Sequence, residues 1–195
     1  MKKSQLLQSL TVVATMAILG LGAQQVHADD LGKTSVGEFT VTAGNLQLDQ
    51  VPDFNFGSTD IATLSKGTTL KYSDSDAGAK SNTLSVSDYR GASTSDWNLT
   101  AKLSNFENGT STVSGTIALH TTGNNGVTAA SDTINSAATT VWTSAQAGTK
   151  GVGSASATVN NDTVLTTAAN SAINGGTYDS TVTWTLGNTS ATSAD

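Results

Sequence analysis

Apolar and polar residues alternate with period two along much of this chain, the pattern of strands that bury one face and wet the other. The clearest run places Trp97, Leu99, Ala101 and Leu103 on one side and Asn98, Thr100, Lys102 and Ser104 on the other. A second carries Val113, Gly115, Ile117 and Leu119 against Ser114, Thr116, Ala118 and His120, and a third carries Val182, Trp184 and Leu186 against Thr181, Thr183 and Thr185. Shorter alternations occur at Phe39 and Val41, at Leu46 and Leu48, and at Leu84 and Val86. Turn-forming clusters separate the runs: Asn108-Gly109, residues 123–126 and Asn174-Gly175-Gly176. One-sided faces of this kind predict an all-β domain, an antiparallel sandwich or barrel-like fold with long loops.

Residues 128–172 are harder to read. They are rich in Ala, Ser, Thr and Asn, with Val141-Trp142 and Val164-Leu165 as isolated apolar points. Long surface loops joining edge strands are expected there, with a helix over 164–173 as an alternative and Trp142 in need of burial.

The N-terminus predicts a secretion signal. Lys2 and Lys3 precede an apolar stretch from Leu10 to Leu21, and Val26-His27-Ala28 offers small residues at the two positions that a signal peptidase reads. The expected layout is a signal over 1–28, a short segment over 29–35, one domain over 36–190 and a tail over 191–195. The polar end of the chain shows no sorting pentapeptide, so non-covalent retention on a cell surface is expected. The chain has no cysteine, which speaks against a disulfide-stapled scaffold and suits export by a bacterium of the Gram-positive type. Net charge is −6, and it is two units more negative without Lys2 and Lys3. That balance argues against nucleic acid, whose phosphates need clustered Lys and Arg.

A catalytic centre is hard to assemble from these residues. Once His27 leaves with the signal, His120 is the one remaining histidine, and Glu38 and Glu107 are the only glutamates. No nucleophile elbow is present, and one histidine is too few for a hydrolytic zinc centre. The Asp74-Ser75-Asp76-Ala77-Gly78 spacing resembles the start of a calcium loop, but Ser85 stands where its closing glutamate belongs. An acidic solvated turn is the expectation, with no metal and no cofactor. Trp97 and Trp184 admit two readings. An indole can stack on a sugar ring, yet each shares its face with Leu, Val or Ala two residues away. The shared face favours core positions for both.

Several words occur in a fixed order: Val51-Pro52-Asp53-Phe54-Asn55-Phe56-Gly57, then Asp88-Tyr89-Arg90-Gly91, then Trp97-Asn98-Leu99 and Phe106. A final word runs from Gly176-Thr177-Tyr178 to Val182-Thr183-Trp184-Thr185-Leu186. This set resembles the WxL-domain family of Gram-positive surface proteins, over about residues 36–188. The resemblance implies a secreted, non-catalytic cell-surface protein held non-covalently on the wall. Peptidoglycan or another wall glycan is the implied ligand, with no membrane insertion. The family motifs map to Trp97, Leu99, Trp184 and Leu186. Membrane-anchored or sortase-anchored surface proteins are the implied partners, and a structural subunit of a multi-protein surface complex is the alternative reading. The family often places an acidic residue and proline after the second motif, whereas Gly187-Asn188-Thr189-Ser190 follows here.

Overall fold

The computed structural model describes residues 35–73, 81–94, 96–124, 127 and 129–189. The expected signal, the Asp74–Gly78 turn and the tail over 191–195 lie outside them. Residues up to Thr40 form a unit of their own, whose described part has no helix or strand. The larger unit begins at Val41.

Among the described residues, twelve strands and two single-turn helices follow in order: β1 (Leu46–Gln50), α1 (Ile61–Leu64), β2 (Thr69–Lys71), β3 (Thr83–Asp88), β4 (Trp97–Leu103), β5 (Phe106–Glu107), β6 (Thr112–Val113), β7 (Gly115–Gly123), β8 (Ser131–Ile134), β9 (Thr139–Thr143), α2 (Ser144–Ala147), β10 (Gly153–Val159), β11 (Val164–Thr167) and β12 (Val182–Asn188). The fold is all-β and sandwich-like, as the alternation predicts. A large sheet has the order β1-β3-β10-β7-β11-β2, with β8 also on β7, and a small sheet has the order β12-β4-β9. Strands β5 and β6 form a separate hairpin. Every pairing is antiparallel.

Inward positions of both sheets form one continuous core. From the small sheet come Trp97, Leu99, Ala101 and Leu103, and from the large sheet come Leu84, Val86, Ile117, Leu119, Ala157 and Leu165, all buried. The four β4 residues are those that period-two alternation selects. The Val113-to-Leu119 run splits at Ser114 into β6 and β7, with Val113, Ile117 and Leu119 buried.

Three expectations are corrected. Phe39 and Val41 lie in no strand and are 86% and 80% exposed. Pairing starts later, where the Gly44 N–H donates to Tyr89 O (2.8 Å) and the Tyr89 N–H to Asn45 O (3.0 Å). Alternation without a partner strand makes no sheet. Residues 128–172 are no array of loops, because β10 sits between β3 and β7, and β11 between β7 and β2. Strand β10 reads poorly because two of its inward residues are small, Ala155 and Ala157. Nor does a helix form over 164–173: Val164 to Thr166 pair with Ala118 to Thr116 on one side and with Lys71 to Thr69 on the other. Two-sided pairing of β-branched residues outweighs any helical preference.

Trp142 finds its burial through a bulge. Leu99 faces Trp142 while Thr100 faces Thr140, leaving Val141 as an extra residue in β9. Both Val141 and Trp142 are thereby buried, although consecutive strand residues ordinarily face opposite ways. The Trp142 ring meets Trp97 edge to face at a centroid distance of 6.0 Å and 87°, a favoured aromatic geometry.

Candidate functional site: an aromatic groove beside the second tryptophan motif

The two Trp-x-Leu words are neighbours in space. Strands β4 and β12 pair so that Leu186 faces Leu99, Trp184 faces Ala101 and Asn188 faces Trp97. Their environments nonetheless differ. Trp97 and Leu99 are fully buried, and the indole Nε1–H of Trp97 donates to Thr149 O at 2.9 Å. Trp184 and Leu186 are half-buried at the margin of the core. The core reading thus describes Trp97 in full and Trp184 only in part. The reason is position: β4 is the central strand of its sheet and β12 an edge.

The Asp-Tyr-Arg-Gly word joins the two sheets. Asp88 ends β3 on its inward face, so its carboxylate is fully buried and must be paired. Arg90 turns back to donate from Nε to Oδ1 at 2.8 Å and from Nη2 to Oδ2 at 2.9 Å, and the Gly151 N–H donates to Oδ2 at 2.7 Å. Hydrogen bonding to Arg90 outweighs burial and lowers the Asp88 pKa from 3.8 to about 2. The same guanidinium donates through Nη1 to Asn188 Oδ1, tying the end of β12 to this network. Gly151 is obligatory here. Its φ is +75°, and a Cβ would collide with Gly91 O.

A groove of about 690 Å³ opens beside Trp184. Its walls come from two of the ordered words, residues 51–57 and residues 176–182 with Trp184, with Ile61, Leu64, Leu70 and Phe106 between them. Phe54 and Phe56, two apart on an extended segment, stack at 6.0 Å and 8°, and Phe54 meets the buried Tyr72 edge to face at 6.2 Å. The segment is pinned by Asp53 N–H to Ser81 O (2.8 Å) and Ser73 N–H to Asn55 O (2.9 Å). Its turn is closed by the Gly57 N–H donating to Asn55 Oδ1 at 2.9 Å. Across the groove, the Tyr178 hydroxyl donates to Asn174 O (2.9 Å) and accepts from the Asn174 N–H (3.2 Å), closing the Asn-Gly-Gly-Thr-Tyr loop. Glu107 and Asp179 exchange backbone hydrogen bonds of 2.9 Å, which anchors that loop to β5.

Half-buried Phe54, Phe56, Tyr178 and Trp184 give the groove aromatic surface, and Asp53, Asp60 and Asp179 line it with carboxylates. No Lys or Arg is among its described lining residues. Asp60 also caps α1, accepting from Thr63 N–H at 2.8 Å and Thr63 Oγ1–H at 2.9 Å, and these bonds hold its pKa below the usual value. The groove thus offers aromatic faces for apolar contact beside negative charge.

The family model for the WxL domain, a surface cell-wall-binding domain, matches residues 28–189. The chain belongs to the WxL family. No curated protein and no solved structure matches it. As a WxL domain the chain is a cell-surface, wall-binding module. Among the described residues no helix is long and apolar enough to cross a membrane, and no three His, Asp or Glu side chains gather to hold a metal ion. His120 is exposed on β7. Of the residues expected to carry the site, Trp184 lines the groove, while Trp97, Leu99 and Leu186 do not. Strand periodicity does not single out Phe54, Phe56 and Tyr178. The signal for the two phenylalanines takes another form: aromatics at i and i+2 between Pro52 and Gly57, in a segment too irregular to be a strand.

Proposed function

We propose that this WxL domain is a non-catalytic module that holds its chain to the wall by binding peptidoglycan glycan in the aromatic groove. One observation carries the reading: two words more than a hundred residues apart in sequence converge on a single cleft with four half-buried aromatic rings. Aromatic faces stack on the apolar faces of sugar rings, and the neighbouring backbone and hydroxyl groups satisfy their rims. The acidic lining and the acidic net charge favour a neutral glycan over anionic wall polymers. Binding of this kind rests on contact rather than long-range charge, so it survives salt.

Incubation of the purified chain with isolated sacculi, followed by washes of rising ionic strength, tests the reading. Retention at high salt is expected from the unaltered chain, with loss in Phe56→Ala. Full recovery in the supernatant at every salt concentration overturns it.

A second reading has its own observation. Strand β12 is an edge, paired on one side with β4 and with no strand on the other among the described residues. An exposed edge can accept an extended segment from another surface protein. Binding to live cells but not to stripped sacculi favours that reading over the glycan.

A further inference from the structure

The outer face of the large sheet carries a second concavity that shares no lining residue with the aromatic groove. It encloses about 500 Å³. Its floor is built from two cross-strand serine pairs, Ser87 with Ser154 and Ser85 with Ser156, on β3 and β10. These serines occupy the alternate positions left over when Leu84, Val86, Ala155 and Ala157 turn inward. Ser87 Oγ–H donates to Asp49 Oδ2 at 2.6 Å, and Asn124 Nδ2–H donates to Ser156 Oγ at 3.0 Å, so both ends of the floor are held in place.

The wall above this floor is the end of α2. Gly148 caps that helix with φ +65°, and nothing lies within 4 Å of where its Cβ would be. Thr149, next in the chain and also lining the cleft, is 6% exposed. Its Oγ1 is buried with no hydrogen-bond partner among the described residues. Buried hydroxyls in folded proteins are ordinarily paired, and this unpaired one belongs to a residue that lines the cleft.

We propose that this cleft is a saccharide site in its own right, taking one neutral sugar unit through its hydroxyl and amide groups. Serine hydroxyls and the Asn124 amide donate and accept, which matches groups that do both. Asp49 is the one charged side chain among the described lining residues, so sugar O–H and N–H donors are welcome and anionic sugars are repelled. Val127 supplies a small apolar contact for ring C–H groups. The inference does not depend on the groove, because no residue is common to the two.

The test is a titration of the ¹⁵N-labelled chain with a neutral N-acetylglucosamine trimer, followed by amide shifts, with glucuronate as the anionic control. The trimer should move the amides of Ser87, Thr149 and Ser154, while glucuronate should not. Ser154→Phe fills the cleft from an exposed position and should weaken this binding at least about tenfold. Asp49→Asn, also exposed, is the companion variant should Ser154→Phe disturb the fold, and an affinity loss of about threefold is expected from it. Unmoved cleft amides, equal affinity in both variants, or equal binding of glucuronate overturns the proposal. Shifts confined to Phe56 and Tyr178 also overturn it while sparing the groove reading. Shifts confined to the cleft support it and count against the groove.

Discussion

Leu186 lies directly opposite Leu99 in the antiparallel pairing of β12 with β4, so the two Trp-x-Leu words form one structural unit across adjacent strands. The row continues through Leu99 to Trp142 on β9, which places one residue from each strand of the small sheet on a single line. The two tryptophans of the motifs then diverge in role. Trp97 stands on the central strand and is closed off by Trp142, whereas Trp184 stands on the edge and faces the groove.

That divergence predicts unequal stability losses. Trp97→Ala removes a fully buried indole, its edge-to-face contact and its bond to Thr149 O. The expected loss is about 3–5 kcal/mol, as for large buried aromatics elsewhere. Trp184→Ala removes a half-buried ring and should lose roughly 1–2 kcal/mol, in proportion to the smaller area returned to water. Chemical denaturation of both variants checks the order. Equal losses would place both indoles in the same environment and contradict the edge position of β12.

The Asp88 network sets an acid limit. Its carboxylate has a pKa of about 2 in the fold and about 3.9 in an unfolded chain. The native state therefore binds fewer protons between these values, and stability from this group is complete above about pH 4 and is lost as pH falls towards 2. The expected contribution is roughly 2–3 kcal/mol. Thermal unfolding followed from pH 5 to pH 2 should steepen in this window, and Asp88→Asn should flatten the curve there. A variant with the same acid dependence as the unaltered chain would show that other carboxylates govern it.

Gly151 is predicted to tolerate no side chain. Its positive φ is unfavourable for any L-residue with a Cβ, and the clash with Gly91 O is with backbone, which cannot swing aside. Moving it also breaks the Gly91 N–H to Gly151 O bond of 2.8 Å and the donation to Asp88. Gly151→Ala should lose at least about 2 kcal/mol, from strain together with a disturbed buried carboxylate. Gly148→Ala provides the control. It shares the left-handed conformation, but the space around it is open, and about 1 kcal/mol is expected. Comparing the two midpoints separates close approach from backbone conformation alone.

Strand identity was legible wherever large apolar residues alternate, as from Trp97 to Leu103, because burial of one face imposes period two. It was illegible through residues 128–172, where Ala155 and Ala157 do the same packing with too little apolar surface to stand out against Ser and Thr. The bulge at Val141 hid β9 for a different reason, since it breaks the alternation at its most hydrophobic point. Phe39 and Val41 show the converse, a regular pattern with no strand to pair with. The groove was half legible. Its words were visible as an ordered set, but long-range pairing, not local pattern, brings Phe56 and Trp184 to one cleft.

The groove can be separated from the core by mutation. Phe56 is half-buried, lies outside every strand and packs face to face with Phe54. Phe56→Ala should lose only about 1 kcal/mol of stability, mainly that contact, while retention on sacculi falls sharply. Leu99→Ala should do the reverse in stability. It removes a fully buried side chain at an expected loss of about 2–5 kcal/mol, yet below its unfolding temperature the folded fraction should still bind, because Leu99 does not line the groove. Binding per folded molecule, measured by pull-down beside circular dichroism, distinguishes the two. A Phe56→Ala chain that binds sacculi undiminished would move the wall contact away from the groove. A folded Leu99→Ala chain that fails to bind would place the contact on the surface above the paired Trp-x-Leu strands.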